Sequence, residues 1–409
     1  MIIKSKINDL FDLLILSIIR VWPLALNILI IKHFINYDQE NLDNYILIIT
    51  LGSIICTFSN YGILNFIMKF KDRSISSIIN LFVNLKIPVS LFLFFVCILV
   101  LLINYFSNNF VNELISKKTL LFFFIIFFFG LNNINSFYFN SINKPKLASI
   151  FRYSLIGTIF YIFLIFIEKN YLYCLFYSTF ISLAISYFFI FVKIKIKILK
   201  LNKNTKFYNF LVKNRHRGFS SILSSLLLNV PLYISTFFYD GNELFIFYFV
   251  IKICNLFLIF NSVFENKFLY QYSLLFVKKN IPKIKTYLFY RTKLILLPII
   301  SLTIFLLIFK NYIFYYFNIG LENSSIYYFC ILIGSIEIII GPVIQYILFA
   351  DIKIYYQRLQ YFLYTIYYFS CFILIIIFNI YTAIYLIFIL FIFHSLLLTF
   401  ILYKKIKFY

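Results

Sequence analysis

Charged residues are scarce in this chain, and their scarcity excludes a soluble enzyme as its main body. Only 12% of the 409 residues are charged, whereas a soluble domain carries about 25%. Hydrophobic residues make up 63% of the chain and aromatic residues 23%. Because a composition this apolar is typical of a protein embedded in a lipid bilayer, we expect membrane-spanning helices to fill almost the whole chain.

Sequence signatures of catalysis and of cofactor binding are also missing. The chain has no GxxxxGK[ST] motif for nucleotide phosphates and no GxSxG, HExxH or GxGxxG motif. Its six cysteines include no CxxC pair and its three histidines lie far apart, so neither a zinc site nor a disulfide is expected. The sequence therefore predicts no enzyme activity, no metal site and no cofactor.

Apolar stretches long enough to span a bilayer are abundant. A spanning helix needs about 20 mostly apolar residues, and short loops hidden in the longer runs leave ten or eleven helices as alternatives to twelve. The sequence predicts an all-α polytopic membrane protein with about twelve transmembrane helices. They are expected near residues 10–32, 44–66, 79–105, 119–140, 147–167, 171–192, 218–239, 244–264, 286–309, 325–350, 359–379 and 381–403.

The positive charges alternate in density from loop to loop. The N-terminus, every second loop and their flanking helix ends hold 29 of the 37 lysines and arginines. Cytoplasmic loops carry such an excess, so both termini are predicted in the cytoplasm. The net charge of +23 then reflects topology and attraction to anionic lipids rather than nucleic-acid binding. The excess of Ile, Phe, Tyr, Asn and Lys fits an AT-rich genome and suggests a bacterial host.

A basic stretch, residues 193–217, divides the predicted helices into two sets of six. We interpret it as a cytoplasmic linker between an N-terminal bundle (1–192) and a C-terminal bundle (218–409). Two such halves with cytoplasmic ends suggest parallel repeats related by an axis along the membrane normal. The segments that begin at Phe139 and Phe349 weakly support a repeat, because each passes a short basic turn between two apolar helices.

Several charged and amide side chains fall inside the predicted helices, where a charge costs at least a few kcal/mol and marks a candidate functional site. The cations there outnumber the acids, which favours an anionic substrate. Glu337 and His394 are the candidates for binding a coupling ion, and protons, sodium or neither remain open. The substrate-binding candidates, which would line a polar lumen, are Arg20, Asn27, Lys86, Ser224, Asn229, Lys252 and Asn255.

Each of these residues also has a structural interpretation. Lys86 lies close enough to a helix end to extend its ammonium group to the interface. Glu337 could pair with a buried cation, and His394 could be a packing residue. Polar stripes at helical spacing could equally join neighbouring helices. These stripes are Thr50, Ser53, Thr57 and Asn60; Asn133, Ser136 and Asn140; and Ser221, Ser224, Ser225 and Asn229.

The helix pattern and two local segments resemble the O-antigen flippases of the MATE-like multidrug/oligosaccharidyl-lipid/polysaccharide exporter superfamily. Residues 30–67 are similar to that family's first-to-second-helix region, with Asp43, Tyr45 and Gly62 at matching places, although Asn36–Tyr37 replaces the usual Gly-Pro. Residues 139–156 resemble its fourth-to-fifth-helix turn. The resemblance spans the chain and depends on pattern more than on invariant motifs.

The resemblance implies a flippase that moves an undecaprenyl-diphosphate-linked oligosaccharide, such as an O-antigen unit of lipopolysaccharide, by alternating access. Arg20 would match a basic position of the family's first helix, with Lys252 and Lys86 as further phosphate partners. Membrane lipids, a polysaccharide polymerase and assembly proteins would be its partners. An ion-coupled small-molecule exporter is the main alternative, and a polysaccharide polymerase is disfavoured because the predicted outer loops are short.

Overall fold

The computed structural model describes about two thirds of the chain, and the described part is helical with no β-strand. The predicted all-α fold class is confirmed. The described residues are 2–37, 40–60, 90–99, 117–141, 144–167, 170–193, 222–223, 226–239, 241–258, 286, 296, 298–320, 323–349 and 354–406.

Each of the twelve predicted apolar segments contains helix where its residues are described. Among the described residues, seven helices are long and apolar enough to cross a membrane, or eight if the bent pair α9–α10 forms one span. The orientation of the termini stays a prediction. In chain order the helices are α1 (Ile2–Tyr37), α2 (Glu40–Asn60), α3 (Ser90–Leu99), α4 (Lys117–Ser141), α5 (Pro145–Ser149, a π-helical turn Ile150–Ser154, then Leu155–Ile167), α6 (Tyr171–Lys193), α7 (Asn229–Ser235), α8 (Gly241–Leu258), α9 (Pro298–Ile308), α10 (Lys310–Phe317), α11 (Ser324–Phe349), α12 (Ile354–Ile377) and α13 (Ile380–Ile406).

The chain forms two compact units. The first contains residues 1–24, 31–46 and 227–409, and the second contains residues 25–30 and 47–226. Residues 194–217 of the predicted linker lie outside the described residues, so the linker and its bundle boundaries stay a prediction.

Two polar contacts in the first unit join helix ends that the charge pattern predicts on the same, outer side. The Lys32 ammonium near the end of α1 donates to the Tyr316 carbonyl of α10 at 2.6 Å. Gly241, at the start of α8, has a left-handed φ of 53°, and its N–H donates to Asp43 Oδ2 near the start of α2 at 3.1 Å. Both contacts agree with the prediction that successive helices cross the membrane in opposite directions, and they do so whichever side of the membrane is cytoplasmic.

Three tyrosine hydroxyls of the first unit cap carbonyl groups where helices end or break. Tyr327 donates to Leu306 O at 2.8 Å, near the bend after α9. Tyr367 donates to Leu227 O at 3.0 Å, in the turn before α7. Tyr239 donates to the carbonyls of residues 375 and 378, both at 3.1 Å, at the end of α12. Because a bilayer offers no water to carbonyls freed at helix ends, these hydroxyls satisfy them internally.

A buried polar seam joins α4 and α6 in the second unit. The Asn132 amide donates to Thr179 O at 3.2 Å and accepts from the Ser182 hydroxyl at 3.3 Å. One turn on, the Asn135 amide donates to Ser186 Oγ at 2.8 Å. All of these residues are fully buried. Side chains of this kind link membrane helices by hydrogen bonds across the interface.

Candidate functional site

The Lys252 ammonium is the best-defined charge inside a span. Lys252 lies on α8 about 16 Å along the axis from Gly241, so it falls well inside the 18-residue apolar span Gly241–Leu258. The residue is only partly exposed. Its Nζ atom lies 4.5 Å from the centroid of the Tyr248 ring, one turn earlier on the same helix.

The surroundings of Lys252 provide an aromatic face. Tyr248 is completely buried, and within the described ranges its hydroxyl has no hydrogen-bond partner. No carboxylate in that part of the chain forms an ion pair with Lys252. Asn255, three residues on and also partly exposed, shares its face of α8. A cation without a paired acid at this depth is suited to an anionic ligand, because Coulomb attraction is strong where water is scarce.

Two phenylalanines of α8, one beside Lys252 on the helix and one further round it, are packed within the first unit. The Phe249 ring lies 5.2 Å from the Phe317 ring of α10, and Phe257 is fully buried. A Cβ atom added at Gly334 of α11 would lie 2.5 and 2.9 Å from two Phe257 ring carbons. The absence of a side chain at position 334 therefore permits the close approach of α8 to α11, which fixes the rotation of the helix that carries Lys252.

The remaining predicted substrate-binding residues lie on α1 and α7 or outside the described residues. Arg20 and Asn27 are partly exposed on α1, the helix that contains Pro23, and Asn229 is partly exposed at the start of α7. Lys86 and Ser224 lie outside the described residues. Their role in substrate binding stays a prediction.

His394 of α13 is buried, at 5% exposure, against α12. Its ring centroid lies 4.7 Å from that of Tyr364 and 5.5 Å from that of Tyr367. Neither imidazole nitrogen has a hydrogen-bond partner in the described part of the chain, and the same holds for the adjacent Ser395 hydroxyl. Buried polar atoms of this kind call for a water or an ion, and the two tyrosine faces would suit a cation.

Glu337 lies on α11, and its side chain is outside the described residues. No cluster of three or more His, Cys, Asp or Glu side chains able to hold a metal occurs in the described ranges. Sequence reasoning missed the tyrosines that surround the two cationic candidates. The i, i+4 spacing of Tyr248 and Lys252 could have revealed the first, whereas Tyr364 and Tyr367 reach His394 from another helix and left no local signal.

Two of the polar stripes are described in part, and one described contact of theirs joins two helices. The Asn133 amide of α4 donates to the Cys56 carbonyl of α2 at 2.5 Å, and the Ser136 hydroxyl donates to Asn133 O. On α2, the Ser53 and Thr57 hydroxyls donate to carbonyls of their own helix. The Asn133 contact favours the structural interpretation of its stripe, whereas the bonds of Ser53 and Thr57 stay within α2 and leave both interpretations of the other stripe open. The serines of the third stripe lie outside the described residues.

Comparisons with known proteins give a match in structure rather than in sequence. No family model matches the chain, and no curated protein matches it in sequence. An outward-facing multidrug-resistance MATE transporter of the MOP superfamily superposes with a TM-score of 0.67 over 97% of this chain and 95% of its own, at 13% identity. The chain has the fold of a MATE transporter.

Two further MATE-fold structures agree with this result. A MOP-superfamily transporter from Pyrococcus furiosus, described as having a binding pocket of reversed polarity, matches 97% of this chain and 95% of its own with a TM-score of 0.64 at 13% identity. A MATE structure in a bent conformation matches 97% of this chain and 93% of its own, with a TM-score of 0.63 at 14% identity. The multi-pass membrane fold predicted for the chain is thereby confirmed.

Proposed function

We propose that this MATE-fold protein is a flippase that moves an undecaprenyl-diphosphate-linked oligosaccharide across a bacterial inner membrane by alternating access. The MATE fold supports transport rather than catalysis. The family resemblance of residues 30–67 and 139–156 supports a lipid-linked oligosaccharide as the cargo, with membrane lipids, a polymerase and assembly proteins as neighbours.

Lys252 carries the proposal for an anionic cargo. Its ammonium group lies deep in a span, beside an aromatic ring and without an ion pair to any described carboxylate. A diphosphate would supply the missing counter-charge through charge-assisted hydrogen bonds. Arg20 and Lys86 are proposed as further phosphate partners, with Asn27, Asn229, Asn255 and Ser224 contacting sugar hydroxyls. The Pyrococcus furiosus transporter shows that pocket polarity differs among proteins of this fold.

Coupling is proposed at His394 or Glu337. A protonated His394 would lie against the rings of Tyr364 and Tyr367, whose faces attract a cation, while burial of the imidazole opposes its charge. The energy of an ion gradient could then bias the alternation between inward-facing and outward-facing states.

Deletion of the gene and complementation in its host tests the proposal. We expect deletion to leave lipid-linked repeat units on the inner leaflet and to abolish surface polysaccharide. Lys252→Arg should restore export at least in part, whereas Lys252→Ala should not. Lys146→Ala, which removes a lysine at the start of α5, is the matched control and should restore export fully. Equal expression of all variants must be verified by an epitope tag.

An ion-coupled exporter of small molecules is the second candidate, because the similar solved structures include a multidrug-resistance transporter. An unchanged surface glycan together with increased drug sensitivity of the deletion strain would favour this candidate. Single repeat units that reach the outer leaflet without being polymerised would instead indicate a polysaccharide polymerase.

A further inference from the structure

The short helix α10 turns away from the span that precedes it. The axes of α9 and α10 differ by 61° across a single intervening residue. The sequence of α10, KNYIFYYF, contains three tyrosines and one lysine but no acid. The helix stops at Asn318, whose left-handed backbone closes it with hydrogen bonds to the carbonyls of Phe314 and Tyr315. This helix lies between the predicted spans 286–309 and 325–350, where the sequence pattern predicts no helix.

One face of α10 is anchored in the first unit. Phe314 and Phe317 are buried, and their rings lie 5.2 Å from those of Tyr327 of α11 and Phe249 of α8, respectively. Lys310 Nζ donates to the Tyr328 hydroxyl at 3.1 Å. The contact between Lys32 and the Tyr316 carbonyl, described above, ties the helix to α1. These four attachments fix the rotation of α10 and hence which side chains it exposes.

The opposite face presents tyrosine rings. Tyr312 is 76% exposed and Tyr315 is 83% exposed, and Asn311 beside them is exposed as well. This face continues an exposed apolar strip on α9, which includes Ile304 and Ile308. The single charged side chain of α10 is that of Lys310. Its ammonium group donates to the Tyr328 hydroxyl and lies over the Phe314 ring, so it is not on the exposed face.

We infer that α10 lies in the headgroup layer of the bilayer, with Tyr312 and Tyr315 in contact with membrane phospholipids. Tyrosine suits that depth because its ring is apolar and its hydroxyl can hydrogen-bond to phosphate, glycerol or water. The lipid-facing strip of α9 leads directly into the tyrosine face, and the 61° bend turns the chain from crossing the membrane to lying along it.

A protein partner fits this face less well than lipid does. Two tyrosine side chains bury about 300–500 Å² in total, whereas a stable interface needs about 800 Å² on each partner. The face also lacks the charges that steer a soluble partner to its site. The inference holds for either transport function, because it depends only on α9, α10 and their anchors.

Depth-dependent fluorescence quenching tests the inference. Trp22 is the single tryptophan of the chain, so Trp22→Phe gives a silent background into which Tyr312→Trp or Tyr315→Trp is introduced. Ile304→Trp serves as the matched control within the span. Each full-length variant is checked for a monodisperse elution profile and reconstituted in phosphatidylcholine vesicles. The lipids carry bromine either near the headgroup or near the end of the acyl chain.

We expect a tryptophan at 312 or 315 to lose more emission with the shallow bromine than with the deep one, and Ile304→Trp to show the reverse. Two tryptophan positions keep the test decisive if one variant fails to fold. Quenching by aqueous iodide with no effect of either bromolipid would overturn the inference, because the face would then lie in water. Insensitivity to all three quenchers would overturn it too, because protein would then cover the face.

Discussion

At the scale of single residues, two substitutions of Tyr248 distinguish the role of its ring, which lies beside the Lys252 ammonium, from the role of its hydroxyl. The Tyr248 hydroxyl is buried without a described partner, so Tyr248→Phe should leave stability unchanged or raise it by up to about 1 kcal/mol. Tyr248→Leu removes the ring that faces Nζ and should impair export. Thermal unfolding in detergent and complementation of the deletion strain measure the two effects. Equal loss of export in both variants would contradict the assignment to the ring.

His394 allows a second distinction at this scale. We expect both His394→Gln and His394→Leu to fold, with leucine the better packed beside Tyr364 and Tyr367, and both to lose gradient-driven export because neither can take up a proton. Elution profiles in detergent measure folding, and complementation measures export. Full export by His394→Leu would show that the imidazole serves packing alone.

The sequence reveals charges at this scale better than it reveals their surroundings. Lys252 and His394 stand out because a charged or titratable group inside an apolar run is costly. The neighbours of His394 come from α12, about 30 positions away, and become visible only once α12 and α13 pack together. For Asn133, helical spacing predicted a polar stripe and left packing and lumen lining open, and the bond from its amide to α2 favours packing.

At the scale of helices, Gly334 limits how closely α8 and α11 approach. Gly334→Ala would push a methyl group into the Phe257 ring, so we expect it to destabilise the protein by about 1–3 kcal/mol. Phe257→Leu should relieve part of that cost in the double variant. Gly157→Ala is the matched control, because its nearest contact, Leu26 Cδ1, lies at an ordinary 3.4 Å. A comparable loss of thermal stability at both glycines would refute the explanation.

The polar seam between α4 and α6 gives another prediction for helices. Asn132→Leu keeps the branched shape and the number of heavy atoms of the side chain but removes the bonds to Thr179 and Ser182. We expect a loss of about 0.5–2 kcal/mol in thermal stability, the range for hydrogen bonds between membrane helices. Thr365→Val is the control, because the exposed Thr365 hydroxyl bonds only to its own helix. An unchanged melting temperature for Asn132→Leu would mean that packing alone joins α4 and α6.

The length of the apolar stretches in the sequence predicts the spanning helices well, but it does not predict the short helix α10 between two spans. Every predicted apolar segment contains helix, because backbone groups in a bilayer must bond within their own segment. Helix α10 escaped prediction because eight residues are too few to span. Its amphipathic character depends on which of its six apolar residues face α8 and α11, and a sequence does not show that.

At the scale of the whole molecule, the sidedness of the chain can be measured with one reagent. All six native cysteines are buried, so they should react slowly with a membrane-impermeant maleimide. We expect Gly320→Cys, after α10, to be labelled in intact cells. Lys144→Cys, before α5, should be labelled only after the cells are opened. The reverse pattern would invert the predicted topology while leaving the fold unchanged.

The tyrosine caps of the first unit have a consequence for how this protein can change over evolutionary time. Tyr239, Tyr327 and Tyr367 each donate to a backbone carbonyl, and a carbonyl is present whichever amino acid occupies the accepting position. The tyrosines should therefore resist substitution, whereas the hydrogen bonds themselves put no constraint on the partner side chains, of which Leu227, Leu306 and Ile375 are constrained by packing alone. Such contacts generate no correlated changes between the two positions. Methods that infer proximity from covariation would pass over the bonds that close these helix ends.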